Sequence, residues 1–226
     1  PAAGSILNAT AIVVGSLAGL ILHSRLPRRF TAITFQGLGL LTIFLGIFMA
    51  QRTQSFLVMA FSIVGGAITG EFFELEERLN RLGEWTKARI RSKNEKFTEA
   101  FVASSLLFCV GSMAILGAIE EGLGGFPRLY VTKSLMDLMG SAAMAASMGV
   151  GVLFSAVPLL IYQGGMTLLA GTVQTVMTQP VVDEVSAVGG LILLGIGISI
   201  LEIKKIKAIN MLPALIYAGI LAAVFQ

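Results

Sequence analysis

The stretch GSILNATAIVVGSLAGLIL, residues 4–22, contains no charged side chain. As a helix rising 1.5 Å per residue it would be about 28 Å long, nearly the ~30 Å hydrocarbon thickness of a bilayer. Inside lipid every backbone amide and carbonyl must be paired within the segment, so such a block folds as a helix or does not enter. Similar blocks follow, and spans are expected at 4–22, 32–50, 56–73, 98–119, 130–148, 150–175, 186–202 and 210–226. The class implied is an all-α polytopic membrane protein of about eight transmembrane helices. Composition agrees: with 55% hydrophobic residues, 13% charged and a mean hydropathy of +0.86, there are too few charges to clothe a water-facing surface. The stretch 130–178 admits a second count. Read as one span it leaves seven helices, but its 49 residues are about twice what a crossing helix needs, and Pro158 interrupts it. A broken or re-entrant helix around QGGMTLLAG stays open.

Charge sets the orientation. With the N-terminus outside, the cytoplasmic loops hold 13 of the 16 basic residues: Arg25, Arg28 and Arg29, then seven from Arg78 to Lys96, then Lys204, Lys205 and Lys207. The outer loops hold Arg52 and Arg128, with Asp183 and Glu184 in the last of them, and Lys133 lies in a span. The positive-inside rule therefore predicts both termini extracytoplasmic. It also accounts for the net charge of +3 without a nucleic-acid partner. The segment EFFELEERLNRLGEWTKARIRSKNEK, 71–96, is charge-dense, with Leu75, Leu79, Leu82 and Trp85 on one helical stripe, and is expected to be an amphipathic helix at the cytoplasmic interface. The chain thus reads as one transmembrane domain over 1–226. It divides into a first helical unit (1–73), a linker helix (74–96), central helices (97–149) and a second helical unit (150–226).

An internal repeat accompanies this pattern. At an offset of 151, GLLTIFLGIFMA lies over GLILLGIGISIL, matching Gly39 with Gly190, Leu40 with Leu191, Gly46 with Gly197 and Ile47 with Ile198. Because the second and seventh spans would run in opposite directions, a repeat of spans 1–3 in spans 6–8 would be inverted, as in many secondary transporters.

Polar groups within spans must find partners away from lipid, so they mark candidate sites. Lys133 and Asp137 are one helical turn apart and can pair on one face. They form either a structural ion pair or a proton or cation site with its counter-charge. Asn8, Gln36 and Gln163 join them as candidate substrate or ion ligands, with Glu71 at the cytoplasmic end of its span. Glu120 and Glu121 fall at an outer span end. Gly15, Gly19, Gly66 and Gly70 form small-xxx-small patterns for close helix packing or self-association, and Gly164 and Gly165 offer flexible backbone beside Gln163. Cys109 reads as a buried small hydrophobe, and His23 is the only histidine, too few for a metal centre of the usual ligands. No phosphate-binding loop, H-E-x-x-H or nucleophile elbow occurs, so neither enzyme nor cofactor is expected.

The segments GSILNATAIVVGSLAGLIL, QGLGLLTIFLGI, KSLMDLMGSAAMAASMGVGVLFSAVPLLIYQGG and SAVGGLILLGIGI together resemble the bacterial integral-membrane family numbered 554 among domains of unknown function, which includes the YqgA-like and YdfK-like proteins. The resemblance covers nearly the whole chain. It implies an inner-membrane protein, often supposed to be a transporter, with no agreed substrate and no assigned site residues. The expected function is a secondary transporter or channel for a small solute or ion, whose partners are the lipid bilayer and further copies of itself. The alternative is a membrane scaffold or sensor that recruits a partner through 71–96.

Overall fold

The computed structural model describes residues 2–25, 28–78, 80–81, 84, 97–109 and 112–225, and within them the chain is helical with no strand. The helices are α1 (Ala3–Arg25), α2 (Arg28–Ala50), α3 (Phe56–Phe72), α4 (Phe97–Cys109), α5 (Ser112–Gly122), α6 (Arg128–Met148), α7 (Ala156–Leu168), α8 (Ala170–Val176), α9 (Gln179–Ile200) and α10 (Pro213–Phe225). Short 3-10 turns, Val150–Ser155 and Ala208–Met211, lead into α7 and α10. Each apolar block of the sequence is therefore helical. By length and composition, Ala3–Leu22, Val150–Leu168, Gln179–Ile200 and Ala208–Phe225 can cross a membrane, and α4 with Met113–Gly122, bent by 57°, makes a fifth if the two are one span.

Helix ends follow local chemistry. Ser55 is extended and its Oγ accepts from the Val58 amide, capping α3. Gly149 takes a φ of 85°, open to glycine without a Cβ penalty, and ends α6. The 130–178 stretch thus breaks at Gly149, whereas Pro158 sits in the first turn of α7, where its missing N–H costs little. QGGMTLLAG does contain a break, at Leu169: α7 runs through Gly164 and Gly165 to Leu168, and α8 starts at Ala170.

The chain forms two compact units, interleaved in sequence. The first is 1–35 with 85–174 and the second is 36–84 with 175–226, so the boundaries fall inside α2, after 84 and inside α8. Consecutive blocks suggest consecutive units, but packing partners are chosen by surface fit and not by sequence proximity.

In the first unit α1 lies along α6 at backbone distance. A Cβ on Gly15 would stand 2.2 Å from the Leu138 carbonyl oxygen, and one on Gly19 2.2 Å from that of Ala142. In the second unit, Gly66 meets Ala214 and Gly70 meets Asn210, so α3 runs antiparallel to α10. Both small-xxx-small pairs are used within the chain. The glycines of α2 and α9 also face one another: Gly46 meets Gly190 and Leu194, Gly190 meets Ala50, Gly39 meets Leu201, and Gly197 meets Ile43 and Gly39.

Outward surfaces are apolar. On α3, Phe61, Ile68 and Phe72 are 67%, 66% and 81% exposed, whereas Ser62 is buried. Such an inside-out face suits lipid. Glu184, expected in an outer loop, lies instead on α9 and is fully buried. Its Oε1 accepts from the Gln54 and Ser55 amides at 2.6 and 2.8 Å, and its Oε2 from the Thr53 hydroxyl at 2.7 Å. A buried carboxylate needs such donors, and the turn before α3 supplies them. Of the amphipathic stripe, Leu75 is half-buried at the start of a helical turn, while Leu79, Leu82 and Trp85 fall outside what is described.

Candidate functional site

Four helices of the first unit bring their polar residues together. From α1, Asn8 donates through Nδ2 to Asp137 Oδ2 of α6 at 3.0 Å and to Gln163 Oε1 of α7 at 3.2 Å. One turn back on α6, Lys133 Nζ donates to the same Asp137 oxygen at 2.6 Å. Asn8 and Gln163 are fully buried, and Lys133 and Asp137 are 7% exposed. Of the residues chosen from the sequence, these four converge.

The network fixes the amide orientations. Both hydrogens of Asn8 Nδ2 are used by oxygens, so turning either amide over would set like groups against each other. That leaves Asn8 Oδ1, an acceptor, and Gln163 Nε2, a donor, buried and without a hydrogen-bond partner. Buried polar atoms are rarely left so.

One turn outward along the same helices the polarity continues. Ser5 and Thr167 hydroxyls stand 3.4 Å apart. The Tyr130 hydroxyl, fully buried, donates to the Ala114 carbonyl at 3.0 Å. Glu121 of α5 is 8% exposed; its Oε1 accepts from the Gly4 amide at 2.6 Å and its Oε2 has no hydrogen-bond partner. Its neighbour Glu120 accepts from the Leu129 amide at 3.0 Å and is half-buried. Sequence reasoning put both glutamates at a span end and so did not separate them. The one signal available was the i,i+4 spacing of Gly4 and Asn8, which sets a bare amide on the face of a polar residue.

The remaining choices lie elsewhere. Gln36 is exposed on α2. Glu71 belongs to the second unit, where Lys207 Nζ and Asn210 Nδ2 donate to its two oxygens at 2.5 and 2.6 Å. Donating to the Glu71 carboxylate holds the Lys207 ammonium above its ordinary pKa. Asn210 Oδ1 accepts from the Glu76 amide at 2.7 Å, and Lys205 pairs with the Glu76 carboxylate at 3.6 Å. This network ties the end of α3 to the turn before α10 and consumes every polar atom of Glu71. Gly164 and Gly165 are helical, and a Cβ on either would meet nothing within 4 Å, so they neither pack closely nor unwind.

The profile of a family described as "Protein of unknown function (DUF554)" matches residues 3–223. The uncharacterized protein YqgA of Escherichia coli (strain K12) is 32% identical over 97% of this chain and 96% of its own. The uncharacterized membrane protein YdfK of Bacillus subtilis (strain 168) is 30% identical over 94% of this chain and 92% of its own. No solved structure matches.

Proposed function

We propose a transport role for this chain, which belongs to the DUF554 family: it carries or conducts a small solute or ion across the bacterial inner membrane and catalyses no reaction. The observation that carries this reading is the convergence of Asn8, Lys133, Asp137 and Gln163 from three helices, with one acceptor and one donor left over. Charges within spans are costly and are retained where they serve a path or a site. At 1.5 Å per residue, Asn8 is about 8 Å from the start of α1 and Asp137 about 14 Å from that of α6, depths inside the hydrocarbon layer.

Eight spans with both termini outside agree with which helix ends meet. That topology puts Gly4, Glu121 and Thr167 outside and Phe97 and Gly151 inside. Gly4 bonds Glu121, a Cβ on Gly122 would meet Thr167, and one on Gly151 would meet Phe97. In the second unit, Ser55 and Glu184 share the outer side, and Gly70 and Asn210 the inner. If only the four longest apolar helices crossed, Glu121 would stay inside and could not reach Gly4 across α1. If α4 and α5 made a fifth span and α6 none, Gly151 would be parted from Phe97.

The inverted repeat gains support from α2 and α9. Shifting 46 up by 151 gives 197, and shifting 190 down by 151 gives 39, so the Gly46–Gly190 contact maps onto Gly197–Gly39. The same exchange turns Gly46–Leu194 into Gly197–Ile43, and Gly190–Ala50 into Gly39–Leu201. Such reciprocity is what a two-fold relation between two segments produces. The first unit pairs α1 with α7 antiparallel in the same way, Asn8 at Gln163 and Ser5 at Thr167.

The test is uptake by proteoliposomes against a panel of small solutes and ions, with Lys133→Met/Asp137→Asn as the matched control. Transport by the wild type and none by the folded double variant is expected. A fully active double variant would leave the cluster a structural one.

A further inference from the structure

Charge at the first unit's cluster does not balance. Lys133 and Asp137 neutralise one another at 2.6 Å, while the buried Glu121 carboxylate pairs with no basic side chain among the described residues. Its Oε1 is held by the Gly4 amide and its Oε2 is unpartnered. Gly4 and Asn8 are successive turns of one face of α1, about 6 Å apart along its axis, and side chains on a helix lean toward its N-terminus, so the other unpartnered oxygen, Asn8 Oδ1, belongs to the same face as the amide that holds Glu121. Between these two turns lie the hydroxyls of Ser5 and Thr167, whose 3.4 Å separation leaves each with lone pairs to spare.

We infer that Glu121 Oε2, Asn8 Oδ1 and the Ser5 and Thr167 hydroxyls form a site for one hard monovalent cation, sodium or potassium. The donors are all oxygens and include a single uncompensated carboxylate, which suits one positive charge. A divalent ion draws on several carboxylates, and softer metals on imidazole or thiolate. Among the described residues no three His, Cys, Asp or Glu side chains gather to offer either. The cation would complete the coordination of both orphan oxygens. It would sit beside the Asn8–Gln163 amides, where Gln163 Nε2 remains for a solute's acceptor. The site rests on the transport reading only for its use as a coupling ion; its occupancy is independent of transport.

The test uses purified full-length protein in detergent. Radioactive sodium binding is measured by scintillation proximity, and unfolding temperature is followed in sodium, potassium or lithium chloride against choline chloride at equal ionic strength. One alkali cation is expected to bind saturably and raise the unfolding temperature in the wild type. Glu121→Gln keeps an oxygen for the Gly4 amide and should unfold as the wild type does in choline but lose the cation-dependent rise. No cation-specific binding in the wild type overturns the site, as does a response to pH alone, which would mark a proton site. An undiminished rise in Glu121→Gln overturns its placement. Cation binding without uptake of any solute in proteoliposomes would remove the carrier reading and leave the site standing.

Discussion

Take away the Lys133 ammonium and Asp137 keeps a buried carboxylate with Asn8 as its remaining donor. Breaking a buried pair from one side costs about 3–5 kcal/mol, so Lys133→Met alone should unfold at markedly lower temperature, while Lys133→Met/Asp137→Asn should recover most of the loss. Thermal unfolding in detergent measures both, and equal damage in the single and double variants would show that the pair is not coupled. Glu184 makes a second case, because three donors of the turn 53–55 rely on it. Hydrogen bonds to a charged group contribute roughly 1.5–3 kcal/mol each, so Glu184→Ala should destabilise by at least about 3 kcal/mol, and a neutral result would deny it that role. Residues deep in apolar blocks were legible in the sequence, since Asn8, Lys133, Asp137 and Gln163 had no water to bond. Glu121 and Glu184 were not. Near a span end a carboxylate can face water or turn inward, and only the neighbouring helix decides which.

Among the elements, α1 against α6 and α3 against α10 depend on glycine for backbone-to-backbone approach. On Gly70 a Cβ would fall 1.9 Å from the Asn210 carbonyl oxygen, and on Gly19 2.2 Å from that of Ala142. Overpacking of a close interface costs typically ~1–3 kcal/mol, so Gly19→Ala and Gly70→Ala should each lower stability by at least that, whereas Gly164→Ala, with open space around it, should be neutral or slightly stabilising. Comparing the three variants by unfolding temperature checks the claim, and a Gly70→Ala protein as stable as Gly164→Ala would contradict it. Spacing in the sequence marks Gly15, Gly19, Gly66 and Gly70 for close packing, and a Cβ at each would run into a neighbouring helix. It also suggested flexible backbone at Gly164 and Gly165, because adjacent glycines look alike whether a neighbour approaches or not.

For the whole molecule, the proposed topology makes a labelling prediction. In a Cys109→Ala background, single cysteines at the exposed positions Glu77 and Lys204 should react with an impermeant thiol reagent from the cytoplasmic side. Cysteines at the exposed Gln51 and Leu123 should react from outside, and labelling of Leu123 and Lys204 from the same side would remove the eight-span arrangement. By itself the sequence determined that the chain is helical, which blocks form helices and which buried polar groups would need partners. It could do so because lipid forces each block to satisfy its own backbone, a local requirement. The tertiary structure alone decided that the units interleave, that α2 meets α9 through reciprocal glycines, and that the buried Glu121 accepts from the Gly4 amide of α1. Those outcomes depend on which surfaces fit at backbone distance, and every apolar block presents much the same Gly, Leu and Ile face to its neighbours.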